Sequence, residues 1–138
     1  MADAVTSQTL SDGDRIAVVK FTNISDGTGE SSVAKVDISA LAASNTGSTP
    51  SRATIEQIWY DIGGMRVALE WNASSNVVAI VLGGSAAAGN VQGHMDFRSF
   101  GGIKNNAGGG INGDIDLTTS GHTNLDHYTI VLELRKSY

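Results

Sequence analysis

Three groups of residues carry types and spacings that could do chemistry. His122, Asp126 and His127 stand close together near the C-terminal end. Imidazole and carboxylate groups together suit zinc and related ions. His122 and His127 flank a loop, however, and no second group of ligands completes a coordination sphere. Asp12-Gly13-Asp14 and Asp114-Ile115-Asp116 resemble fragments of calcium loops. Neither has the ligand spacing or the terminal glutamate of a whole loop. A turn accounts for the first and an outward strand face for the second. The glycine-rich stretch 101–113 (GGIKNNAGGGING) lacks the G-K-[ST] of a phosphate loop, and no helix follows to supply a dipole. There is no G-x-S-x-G elbow and no cysteine nucleophile. The expectation is a protein without catalytic residues, metal or cofactor.

The aromatic residues offer a different chemistry. Trp59, Tyr60 and Trp71 could form a platform for a sugar or a partner. Trp59 and Tyr60 are neighbours in a strand, so their side chains face opposite ways. One belongs to the core and the other to the surface or an interface. Trp71 shares a strand face with Val67 and Leu69, which places it in the core.

The elements that must position these residues are strands. Period-2 alternation and β-branched residues dominate. Segments 15–23, 32–39, 54–62, 65–71, 77–82, 94–100, 114–119 and 127–136 read as strands. In the last, Tyr128, Ile130, Leu132 and Leu134 point inward. Gly63-Gly64 between two strands is a two-residue hairpin signature. With Val77–Leu82, read as buried on both faces, it predicts a central meander. The fold class is all-β: a single-domain β-sandwich or jelly roll, or a small β-barrel, of about eight strands. Residues 1–14 are read as a flexible N-terminal arm, 15–138 as the β domain, and 101–113 as a loop that stays mobile unless something clamps it.

Composition narrows the function classes. The 138 residues suit one domain. Glycine is abundant at 17 residues against a single proline, and six of those glycines lie in 101–113. The net charge is −5, from 9 basic and 14 acidic residues. The basic residues are scattered, which argues against a nucleic-acid-binding face. No apolar run reaches the length of a membrane-spanning helix. The start lacks the pattern of a signal peptide, so folding in a cytoplasm is expected.

Phe100-Gly-Gly-Ile-Lys-Asn-Asn-Ala-Gly108, then Gly113-Asp-Ile-Asp-Leu-Thr-Thr119 and the closing His127-Tyr-Thr-Ile-Val-Leu-Glu-Leu-Arg-Lys136, resemble small virion structural proteins of tailed bacteriophages, cyanophages among them. The resemblance is clearest over about 95–138 and in the opening pattern of 8–40. It implies a non-enzymatic role in the virion, assembled in the host cytoplasm. The implied function is a capsid decoration, or cement, protein that bridges subunits of the major capsid protein, as a homo-trimer. A tail-tube, neck or head-tail joining subunit is the alternative. A carbohydrate-binding module in a host-recognition fibre is the alternative of another class, and it requires Trp59 or Tyr60 exposed on a groove. The contact residues expected for a decoration protein are Val5 and Leu10 in the arm and Ile103, Lys104, Asn105, Asn106 and Ile111 in the loop. Apolar residues in a glycine-rich loop need a partner that buries them.

Overall fold

In the computed structural model, residues 4–83, 90–110, 112–121 and 125–138 are described. The strands run in chain order as β1 (Ala4–Asp12), β2 (Ile16–Ile24), β3 (Val33–Val36), β4 (Arg52–Gly63), β5 (Arg66–Trp71), β6 (Val77–Gly83), β7 (Asn90–Asp96), β8 (Ile115–Ser120) and β9 (His127–Ser137). They form two antiparallel sheets, one ordered β1-β2-β9-β4-β7 and the other β3-β8-β5-β6. The inner faces of both sheets share one core, so the architecture is a sandwich. Among the described residues there is no α-helix, only short 3-10 turns at Ile38–Ala40 and Arg98–Phe100.

The alternation read from the sequence sets the core. Tyr128, Ile130, Leu132 and Leu134 of β9 are buried, and Ala17, Val19 and Phe21 of β2 lie beside them. Across the sandwich sit Val67, Leu69 and Trp71 of β5 with Ile115 and Leu117 of β8. Two charged groups that enter this interior are paired. The Glu30 carboxylate forms an ion pair with Lys35. It also accepts from Asn23 Nδ2 at 2.7 Å and Tyr128 Oη at 2.5 Å. Lys136, fully buried, pairs with Asp12 and donates to the carbonyls of Gly13 and Ala42. Three partners of this kind offset the cost of desolvating an ammonium group. The Asp12-Gly13-Asp14 segment is therefore the β1–β2 turn and a partner of Lys136.

Four expectations are corrected. Residues 4–12 of the arm form β1, paired with β2 from Ala4↔Ile24 to Asp12↔Ala17. Val5, Thr6 and Thr9 suit extended backbone, and the edge of β2 supplies partners. This is the ninth strand. Gly63-Gly64 is a corner rather than a hairpin, because β4 and β5 lie in different sheets. Ile62 and Met65 on either side are both buried, so the chain turns over the core instead of folding back along itself. Gly64 has φ +79°, and a Cβ on it would overlap the Asp126 carboxylate. Val77–Leu82 is not central. It is β6, the edge of the four-stranded sheet, with Val78 50% and Val81 51% exposed. The strand expected over 94–100 runs instead as β7 over Asn90–Asp96, since Asp96 and Arg98 close a tight turn after it.

Candidate functional site

The outer face of the five-stranded sheet carries the surface with the most chemistry. β4 turns Gln57, Trp59 and Asp61 outward, and the registers place β9 and β7 residues beside each of them. Trp59 lies between Val131 and His94, Gln57 between Glu133 and Asp96, and Asp61 between Thr129 and Gln92. Trp59 is 37% exposed. Its indole stacks on the His94 ring with centroids 4.8 Å apart and planes 5° from parallel. His94 is itself held: its Nε2 lies 2.8 Å from Gln57 Oε1, and Gln57 Nε2 donates to Glu133 Oε2 at 2.8 Å. This chain of contacts fixes the indole. Beside it runs a groove of about 450 Å³, lined by Trp59, Asp61, Gln92, His94, Thr129 and Val131. Asp61 Oδ1 is buried there with no hydrogen-bond partner among the described residues. At the end of β7, Arg98 donates twice to Asp96 and holds its carboxyl down at about 2.

The aromatic reading therefore resolves in detail. Trp71 is buried, Trp59 is the exposed ring, and Tyr60 packs from the opposite side of β4 against the core. The carboxylates of the second calcium-like fragment are structural. Asp114 Oδ1 accepts the Ile38 N–H at 3.0 Å. Burial pushes the Asp114 carboxyl above its ordinary range, the Ile38 N–H works the other way, and Asp37 and Asp116 add to the rise. Asp116 lies buried under Asn72 and Asn76, which both donate to its Oδ2. Asp126 and His127 sit against the Gly64 and Gly63 corner. His122 lies outside the described residues.

The expected contact residues fall in two places. Val5 and Leu10 are exposed on β1. Leu10 marks a bulge in the pairing with β2. The loop, by contrast, is anchored. Ile103 exchanges backbone hydrogen bonds with Ile55 at 2.9 and 3.0 Å, and its side chain packs on the core. Gly102 N–H donates to the Phe97 carbonyl, and the Gly109 carbonyl accepts from Ser74 N–H. Arg135 spans the anchor, pairing with buried Glu56 at 2.8 Å and donating to the Gly101 carbonyl. Ile103 thus finds its apolar partner inside its own chain. Lys104 and Asn106 remain exposed, Asn105 is partly buried, and Ile111 lies outside the described residues.

Sequence reasoning missed the open edge of β6. No described strand pairs with its far side. The strand contains no charge and no proline. A bulge at Ala79 resets its alternation, so Val78 opposite Glu70 and Val81 opposite Ala68 share the outer face. Read without the bulge, VVAIVL is indistinguishable from a strand buried on both sides.

No family model matches the chain, and no curated protein does. Among solved structures, a family 29 carbohydrate-binding module aligns over 96% of this chain and 89% of its own, at 7% identity and a TM-score of 0.34. A mutant family 29 module aligns over 96% and 86%, at 7% and 0.33. Likeness at that level establishes neither a shared fold nor a shared function.

Proposed function

We propose that the chain is a non-enzymatic structural subunit of a tailed-phage particle, a capsid decoration protein that bridges neighbouring shell subunits. The observation that carries this reading is the edge strand β6. Isolated β proteins guard such edges with charge, proline or a covering element, because an open row of N–H and C=O groups pairs with any extended chain. β6 has neither charge nor proline, and beside its open edge stand the half-exposed Val78 and Val81. Strand addition from a shell subunit or a second copy would supply the missing hydrogen bonds and bury the two valines. β1 offers a second, more polar edge with Val5 and Leu10. The resemblance of 95–138 to virion structural proteins supports the same role.

A reconstruction of the particle tests it. The expected result is this chain on the outer shell, at local symmetry axes, in a copy number tied to the number of capsomers. Its presence in the tail tube, neck or head-tail joint, or its absence from particles, overturns it. A second reading, a carbohydrate-binding module in a host-recognition fibre, is favoured by Trp59 and the groove beside it.

A further inference from the structure

The geometry points to the groove along Trp59 and Asp61 as a binding site for a neutral saccharide. The inference deepens the second reading above and rests on it, and it is independent of where in a particle the chain sits.

Two features of the groove each call for part of such a ligand. The first is the indole, an extended apolar surface left 37% exposed beside Val131 and among the polar Asp61, Gln92 and Thr129. An aromatic face carries a negative quadrupole and attracts the polarised C–H bonds of a pyranose ring. The His94 stack and the Gln57 and Glu133 contacts behind it hold the ring in place, so little entropy is lost on binding. The second is the Asp61 carboxylate, which lines the groove and whose Oδ1 has no hydrogen-bond partner among the described residues. A carboxylate oxygen only accepts hydrogen bonds, and leaving one buried without a donor is costly. Sugar hydroxyls are donors, and neighbouring hydroxyls are spaced to reach a carboxylate together with a nearby amide. Gln92 and Thr129 flank Asp61 in register and provide such partners. The volume of about 450 Å³ falls within the range of small-ligand sites, roughly 300–1,000 Å³.

A cationic ligand would also be drawn to a ring and a carboxylate. Cation recognition relies on a cage of several ring faces. Here the two rings on the outer face among the described residues lining the groove, Trp59 and His94, are stacked on each other and do not form a cage. Lys20 stands opposite Val131 on β2, one strand beyond the groove, and adds a positive charge to that side of the sheet. Both features favour a neutral ligand.

The test begins with a glycan array and continues with fluorescence titration of the purified chain, using the retained oligosaccharides. Trp71 is fully buried, so of the two tryptophans Trp59 reports the ligand. The expected result is a saturable change in emission for at least one neutral glycan. Trp59→Ala and Asp61→Ala should each weaken its retention on the array at least tenfold, while Trp59→Phe keeps part of it. Urea unfolding of each variant separates lost binding from lost folding. Retention of no glycan, or unchanged retention by Trp59→Ala, overturns the proposal. Saturable binding of tetramethylammonium chloride in place of any sugar overturns it in favour of a cation site. A chain that binds glycan yet is missing from the shell fails only the decoration reading, and a shell-bound chain that binds no glycan fails only this one.

Discussion

The glycine-rich loop 101–113 and the strand β6 exchange the roles that their compositions suggest. The loop holds six glycines and reads as free to reach a partner, yet it is tied to Ile55, Phe97 and Ser74 by backbone hydrogen bonds and packs Ile103 on the core. The strand is wholly apolar apart from its final glycine and reads as core, yet it lies at a sheet edge with two valines half exposed. Availability for a partner follows from which backbone groups already have partners, not from how flexible or apolar a segment is. In this molecule the loop is held at Gly101–Ile103 and at Gly109 within the chain, and no described strand pairs with the outer row of β6.

The contrast is most sharply broken at Gly113. It has φ +85°, and a Cβ there would overlap the Ser51 carbonyl. Gly113→Ala is expected to cost about 2 kcal/mol or more of unfolding free energy, from the left-handed backbone and the overlap together. Gly109→Ala, where a Cβ meets nothing within 4 Å, is expected to stay within about 0.5 kcal/mol. Urea denaturation of the pair decides whether the loop is docked. Equal effects would mean that it is not.

Ile103→Ala comes next, at about 1 kcal/mol, because its side chain is only partly buried against the core. An unchanged unfolding midpoint would return Ile103 to the role of an outside contact. Val78→Lys and Val81→Lys probe the other side of the comparison. Each is expected to shift stability by no more than about 0.5 kcal/mol, since the side chains are half exposed. Each should nevertheless lower the occupancy of the chain on particles, measured by quantitative mass spectrometry.

The smallest expected effect is a pH dependence at Asp114, where the loop ends. Its folded carboxyl titrates above the ordinary value, so its protonated form is favoured by folding. The stability it contributes is fully present below the unfolded value and is lost as pH rises through the folded one. Asp114→Asn keeps an oxygen for the Ile38 N–H and removes the charge. Wild type should therefore gain on the variant between pH 7 and pH 4 in urea midpoints. A difference that is flat with pH would remove burial as the cause.

Much of the fold was legible because period-2 alternation survives folding wherever one face is buried. β9 and β2 show it, with every inward residue from Tyr128 to Leu134 buried. The opposite facing of Trp59 and Tyr60 and the burial of Trp71 followed from the same rule. What the pattern does not carry is which sheet a strand joins. Gly63-Gly64 permits a hairpin and a corner equally, and the burial of both Ile62 and Met65 selects the corner. The exposure of β6 turns on one bulge at Ala79, which no local signal marks. β1 was hidden by its Ser, Gln and Thr residues, since an edge strand exposed on both faces has no apolar stripe. The groove was only half visible. The aromatic pair named Trp59, but Asp61, His94 and Gln57 come from register, which pairs residues tens of positions apart.

Amide hydrogen exchange, compared between the free chain and the chain bound in a particle, tests the central claim most directly. The account predicts slowed exchange over 77–83 on assembly and little change over 101–110, whose anchoring bonds are already made. Slowed exchange in the loop with β6 unchanged would contradict it.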